Sequence, residues 1–425
     1  MTDFIIRGDI VDCTEQRTLR TVEDGYAVCV GGICGGVFSE LPREYSDLPV
    51  LDYSGMLVMP GMVDLHIHAP QYAYRGLGMD MELLDWLDHY AFPEEMKYRD
   101  PAYAERAYRI FADAMKHSVT TRAVIFGTLY RDSTELLMEL MEESGIVSFV
   151  GKVNMDRNAP ERLTENSARS VASTERFILH TAEKFRNTHP VITPRFVPSC
   201  SEEVLGGLGQ LAAKYRVPIQ SHLSENIGEI DWVHELCPDD SSYGAVYDRH
   251  GLLNEHTVMA HCVYSTDEEI KLLKQRGATI AHCPASNMNV ASGIAPIRRY
   301  LNEGLRVGLG SDVAGGQTES LFTAIVEAIQ VSKLYWRLVD DRMKPLSFAD
   351  ALYLATRGGS GFFGKVGAFE EGWEFDAIVI DDSALPHPQE LNLSQRAERA
   401  VYLGGDVRGL KAKFVRGNEI LDVRC

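Results

Sequence analysis

Eight short apolar runs, each followed by a longer amphipathic stretch, constrain this chain more than any other feature. They are Val58 to His68, Val119 to Phe126, Ile146 to Met155, Val191 to Val197, Val217 to His222, Thr257 to Cys262, Thr279 to Cys283 and Arg306 to Ser311. Helical patterns lie between them at Ala102 to Met115, Ser133 to Glu143, Glu202 to Tyr215 and Glu268 to Arg276. Strands alternating with helices indicate βα units and a parallel sheet. Near-continuous apolar strands suit a sheet buried on both faces. Periodicity alone does not fix how eight such units close. Eight is nevertheless the count of a (β/α)8 TIM barrel.

The two ends read differently. Phe4 to Val11, Ala27 to Val30 and Val50 to Tyr53 are β-prone, with Gly31-Gly32 and Gly35-Gly36 as turns. Beyond Phe369 the β-like pieces are Ala377 to Ile380, Ala400 to Leu403 and Lys413 to Val415. The expectation is an α/β chain with a barrel over residues 58–368. Residues 1–57 and 369–425 would pair into one small β domain. A long aromatic-rich insertion, Ala69 to Arg99, follows the first barrel strand.

Composition narrows the partners. The 425 residues are 45% hydrophobic and 24% charged, which excludes global disorder. The net charge of −19 repels phosphate backbones and anionic lipid surfaces, so nucleic acid and membrane are poor partners. No apolar run approaches a membrane span, and charges fall where a signal peptide needs its apolar stretch. Eight scattered cysteines, none in a Cys-x-x-Cys pair, argue against a disulfide framework or a Cys-based zinc finger. A reduced, cytoplasmic protein is expected.

Chemistry gathers at the strand ends. In His66-Ile67-His68 the two imidazoles point to one face of a strand. Chance alone gives about 0.4 such pairs in a chain with 13 His, so the pair is weak by itself. His222, His261 and Asp312 also close apolar runs. In a barrel those C-terminal ends converge on one mouth, where active sites sit. Five such residues at corresponding positions point to a metal site rather than to packing. Three imidazoles and a carboxylate with room for water fit catalytic zinc, and iron(II) is also compatible. The bland reading of His261 is a hydrogen-bonded core histidine. Glu225, three residues past His222, is placed to shuttle protons beside a metal-activated water; otherwise it is a dipole-favoured Glu at a helix start.

Other signals lead nowhere. His234-Glu235 lacks the second His of a His-Glu-x-x-His site, and the cytidine-deaminase zinc signature and the P-loop are absent. Gly207-Leu208-Gly209 falls inside an expected helix, so packing explains it better than dinucleotide binding. His282 and Cys283 could be pocket wall or core.

Pro60-Gly61-Met62-Val63-Asp64-Leu65-His66-Ile67-His68 resembles the opening signature of the amidohydrolase superfamily, and His222, His261 and Gly310-Ser311-Asp312 extend the match across the barrel. The resemblance implies a β-sandwich built from both chain ends, with Gly367 to Ala377 as the re-entry into it. Within the superfamily the chain is most similar to the guanine deaminases. The matching pieces include His68-Ala69-Pro70-Gln71-Tyr72, Leu84-Asp85-Trp86-Leu87, Phe92-Pro93-Glu94, Gly151 to Asp156, Thr193-Pro194-Arg195-Phe196, Ser221 to Asn226, Ala281-His282-Cys283-Pro284 and Ser311 to Gly316. Pro70 and Ala285 depart from that pattern, which expects Ser and Asn. Strand four carries Arg195 and no Lys, so the chain resembles the one-metal branch; Lys152, on strand three, reads as structural.

The resemblance implies that His66, His68, His222 and Asp312 hold one zinc and a water. Asp312 and His261 would orient the water and take its proton. Glu225 would pass protons to a ring nitrogen and the leaving amine, turning guanine into xanthine and ammonia. Gln71 can read a purine edge with its donor and acceptor, Arg195 can only donate, and Phe196 and Trp86 offer flat walls. Without the resemblance these four would be a surface Gln, a salt-bridged Arg and two core aromatics. A sister enzyme acting on a pterin, another purine or a triazine stays open. So does a metal-free scaffold, against which the intact residue set speaks. The resemblance further implies a homodimer.

Overall fold

The structure, a computed structural model, describes residues 3–423. The N-terminal arm forms β1 (Phe4–Cys13), β2 (Leu19–Val30), β3 (Ile33–Phe38) and β4 (Val50–Pro60). The parallel strands follow: β5 (Met62–His68), β6 (Thr120–Phe126), β7 (Val147–Gly151), β8 (Val153–Asn154), β9 (Thr188–Pro190), β10 (Thr193–Pro194), β11 (Ile219–Leu223), β12 (Thr257–His261), β13 (Thr279–His282) and β14 (Arg306–Leu309). The C-terminal arm adds β15 (Ala377–Ile380), β16 (Leu410–Val415) and β17 (Asn418–Asp422).

The expected run from Val58 to His68 is two strands. Val58, Met59 and Pro60 pair with β15 in the terminal sheet, and Val58 also pairs with β1. Met62 onward pairs with β6 instead. Gly61 is the break. A Cβ there would lie 2.2 Å from Thr121 Oγ1, so only glycine lets the chain pass this close to the start of β6.

The parallel strands form two four-stranded sheets, β5-β6-β7-β9 and β11-β12-β13-β14, with β8 and β10 as a separate pair. A parallel bridge between Ile192 and Ile219 spans the two on one side, and β14 packs against β5 on the other. Val63, Leu65, Val124, Val258, Ala260 and Ala281 share one buried apolar cluster between them. Helices follow the strands, as at Pro101–His117, Arg131–Ser144, Glu202–Tyr215 and Asp267–Arg276. The third expected strand is broken into β7 and β8; of the fourth, Val191 to Val197, only Thr193–Pro194 is strand, with β9 lying just before it and Arg195 just after β10.

The chain ends join in one seven-stranded mixed sheet, β17-β16-β15-β4-β1-β2-β3. The reading of Ala400 to Leu403 as β is corrected: those residues end a helix, Leu393–Tyr402. Asn392 and Gln395 form a capping box at its start, and Leu393, Ala397, Ala400 and Val401 bury one helical face. Gly209 sits in its expected helix, where a Cβ would meet the His250 carbonyl at 1.8 Å, so close packing accounts for it. The seven described cysteines are buried and none of them is in a disulfide; Cys425 lies outside the described residues. Among the described residues no helix is long and apolar enough to cross a membrane.

Candidate active site

Four strand ends deliver five polar residues to one point. His66 and His68 leave the fully buried β5 on the same face. His222 lies on β11, His261 ends β12, and Asp312 lies three residues past β14. His261 and Asp312 have positive φ values of 73° and 47°. Non-glycine residues seldom occupy that region, and such residues cluster at functional sites.

The donor atoms face one another. His68 Nε2 lies 3.3 Å from His66 Nε2 and 3.2 Å from His222 Nε2. Asp312 Oδ1 is 3.1 Å from His66 Nε2 and 3.5 Å from His68 Nε2. Ligand atoms ~2.0–2.1 Å from one tetrahedral ion stand roughly 3.3 Å apart, so this spacing fits a single divalent cation. The Nδ1 of His222 donates to the Arg195 carbonyl at 2.6 Å, which leaves its Nε2 bare for a metal. Burial, joined by the neighbouring rings, holds His68 and His222 well below the ordinary imidazole range. They are therefore neutral, the form that ligates. Burial opposes charge on Asp312, but His66, His261 and His68 outweigh it and keep the carboxylate ionised.

His261 and Glu225 stand beside this cluster. His261 Nε2 is 3.3 Å from Glu225 Oε2 and 3.6 Å from Asp312 Oδ2, and its Nδ1 meets Asn287 Oδ1 at 2.9 Å. Burial alone would lower His261, but the Glu225 and Asp312 carboxylates raise it. Burial pushes Glu225 up to about 7. The Ser292 hydroxyl donates to Glu225 Oε1 at 2.9 Å and fixes its orientation.

The insertion after β5 forms the facing wall. Gln71, Leu83, Trp86, Leu87, Arg195 and Phe196 line the same cavity as His68, His222, Glu225, His261 and Asp312. Gln71 sits in a 3-10 turn directly after His68. Its Oε1 accepts from the Ala314 N–H at 3.2 Å and its Nε2 donates to Glu95 Oε1 at 3.1 Å. Arg195 Nη1 donates to Glu95 Oε2 at 2.6 Å. A wide π turn at Leu87–Ala91 joins the short helices that carry Trp86 and Glu95. Such turns are frequent at functional sites.

Every candidate site residue of the sequence thus lines one cavity or, for His66, touches His68 and Asp312 that line it. Glu95, Asn287, Ser292 and Asp64 were missed. Asp64 accepts from the Ser311 N–H and hydroxyl and from the His66 N–H, tying β5 to the loop that carries Asp312. The Asp64-x-His66 spacing could have revealed it; no periodic signal marks Glu95. His282 is buried with neither ring nitrogen hydrogen-bonded, and Cys283 joins the apolar core.

The chain belongs to the amidohydrolase family, whose profile matches residues 57–409. Among proteins of that kind, a guanine deaminase from Dictyostelium discoideum is 39% identical over 379 residues, 87% of this chain and 84% of its own. A guanine deaminase from Escherichia coli is 33% identical over 438 residues, 98% of this chain and 97% of its own. A crystal structure of guanine deaminase from C. acetobutylicum, with guanine bound in its active site, superposes with a TM-score of 0.96. It is 46% identical and covers 99% of this chain and all of its own.

Proposed function

We propose that this chain deaminates guanine hydrolytically, giving xanthine and ammonia. The observation that carries the reading is one cavity with a converging His/Asp cluster on one wall and the Gln71–Glu95–Arg195 set on the other. The match to guanine deaminases over nearly the whole chain supports the same substrate.

His66, His68, His222 and Asp312 are the proposed holders of one zinc ion. Such an ion, when bound, acidifies a water toward neutrality and so supplies the attacking oxygen. The chain's own groups handle the protons. Asp312 and His261, whose Oδ2 and Nε2 lie 3.6 Å apart, would accept that water's proton. Glu225, with its proton affinity raised to about 7, can give a proton to the purine ring nitrogen next to C2 and take one back for the leaving amine. Gln71 and Arg195 read the purine edge, and Trp86, Phe196 and Leu83 exclude water around it.

The two parallel sheets are proposed to close as a (β/α)8 barrel. The Ile192–Ile219 bridge and the β14–β5 packing support that closure. The terminal sheet is proposed to curl into a sandwich. Phe4 on β1 and Phe414 on β16 are three strands apart, yet their ring centroids are 5.2 Å apart. A flat sheet would separate them by ~14 Å. The proposed division is a terminal domain, 1–57 with 369–425, around 58–368, with its first boundary moved from 57 to Gly61 because Val58, Met59 and Pro60 pair in the terminal sheet. Family resemblance supports a homodimer, and described cysteines that are buried and outside any disulfide support a reducing, cytoplasmic setting.

The test follows guanine loss and ammonia release together, on protein of known metal content. Coupled xanthine and ammonia formation is expected. Glu225→Gln should cost ~10²–10⁴-fold in kcat while metal content stays constant. Metal without guanine turnover would redirect the search to pterins, other purines and triazines.

A further inference from the structure

A second cleft lies on the outer side of the loops after β6 and β8. It is lined by Arg99, Arg131, Arg162, Arg169 and Arg176, with Asp132, Glu161 and Glu165. Two of those acids are already matched. Asp132 accepts from Arg131, and Glu165 accepts from the buried Lys152 at 2.7 Å. Among the described residues, the guanidinium groups of Arg99, Arg162, Arg169 and Arg176 have no ion-pair partner. Four cations therefore face one unmatched carboxylate, Glu161, on a chain whose net charge is −19.

Two further features add positive potential. The helices Arg131–Ser144 and Ser167–Thr181 both begin at this cleft, and the first has no side chain capping its N-terminus. Helix N-termini present free N–H groups and the positive end of the dipole. Asn166, Arg169, Ser173 and Arg176 fall on one face of the second helix. Concentrating like charges without acids is unfavourable, and elsewhere on this surface arginines such as Arg109, Arg249 and Arg276 sit on carboxylates.

We propose that this cleft binds a small anion carrying two or more phosphates. Arg169 and Arg176 are seven residues apart, ~10 Å along the helix axis, a spread that suits an anion longer than one phosphate. Guanidinium forks match phosphate oxygens bidentately. The site is distinct from the guanine cavity; the two share no lining residue. Arg99 lies one helical turn past Glu95, which holds Gln71 and Arg195, so an anion there can alter the apparent KM for guanine.

The test is calorimetric titration of the full-length, metal-loaded protein with tripolyphosphate and, separately, with orthophosphate. Saturable tripolyphosphate binding is expected, at least tenfold tighter than orthophosphate and weakened by added salt. The double variant Arg169→Glu/Arg176→Glu should lose binding tenfold or more, while Arg337→Glu, exposed and not part of the cleft lining, should not. No saturable binding, equal affinity for both anions, or full binding by the double variant would overturn the proposal. If that variant fails to fold, Arg99→Ala/Arg162→Ala carries the same expectation.

Discussion

Arg195 and Glu95 form a buried ion pair: Nη1 donates to Oε2 at 2.6 Å, with both side chains almost wholly shielded from solvent. The Arg195 guanidinium also lies 5.1 Å from the centre of the Phe92 ring. Glu95 thus aims two groups at once, since its other oxygen takes the Gln71 amide. Replacing Glu95 with Gln keeps the shape and removes the charge. Breaking a buried pair of this kind costs about 3–5 kcal/mol, because the remaining charge is left without its counter-ion. The expected result is a fall in kcat/KM for guanine of ~10²-fold or more, with metal content unchanged. Steady-state kinetics beside metal analysis checks it. Loss of metal would instead make Glu95 a support of the His/Asp cluster.

The His/Asp cluster should couple metal to stability. A ligand bound only by the folded state stabilises by about 4.1 kcal/mol at a thousandfold excess over its dissociation constant. Chelation should therefore lower both activity and the thermal midpoint, and restored zinc should recover both. His68→Ala should reproduce the chelated state and fail to respond to zinc, because His68 lies within 3.5 Å of three of the other donors. Scanning calorimetry with and without zinc reads the effect. A His68→Ala variant that still gains stability from zinc would place the ion elsewhere.

The strand-end histidines were legible because a polar residue at the close of an apolar run breaks a strong local pattern. Five such breaks pointing the same way leave packing a poor explanation. Glu95 was not legible. It lies in an irregular insertion with no period, and its partners are Gln71, 24 residues before it, and Arg195, 100 residues after it. The helix at Leu393–Tyr402 was misread because Ala400-Val401-Tyr402-Leu403 is β-prone in isolation. Its Asn392–Gln395 capping box and buried face decide otherwise. The split at Gly61 was hidden for a different reason. Both flanking strands are apolar, and only their hydrogen-bond partners tell them apart.

Lys413 should make stability depend on pH. Its ammonium is buried, with no acid paired to it among the described residues, and donates to the carbonyls of Met115, Ser118 and Thr120 around the end of the helix Pro101–His117. Burial, with the nearby Lys116, pulls it well below the ordinary lysine value of 10.5. The unfolded chain then holds this proton more tightly than the folded one. Stability rises with pH between the folded and unfolded values, by at most about 1.4 kcal/mol per pH unit. Lys413→Met lacks that proton. The wild type should therefore gain on the variant as pH rises from 7 to 10, read from denaturant midpoints. A constant gap would mean that the three carbonyls keep Lys413 charged.

Arg122 and Asp376 hold the parallel strands to the terminal sheet. Arg122, on β6, donates through Nε to Asp376 Oδ2 at 2.5 Å and through Nη2 to Asp376 Oδ1 at 3.1 Å and Glu374 Oε2 at 2.6 Å. Arg416 closes the network, its N–H on Asp376 Oδ1 and its Nε on Glu374 Oε2. Arg122 is 1% exposed, so water cannot replace a lost partner. Asp376→Ala should destabilise the fold by about 3 kcal/mol, the low end of the range for breaking a buried pair, because Glu374 still holds Nη2 while Nε loses its acceptor. Arg122→Met/Asp376→Leu should lose less than Asp376→Ala alone, because no charge is left behind. Equilibrium denaturation of the three proteins separates the two costs. Equal losses in the single and double variants would mean that the hydrogen bonds to the backbone of Arg416, rather than the stranded guanidinium, set the penalty.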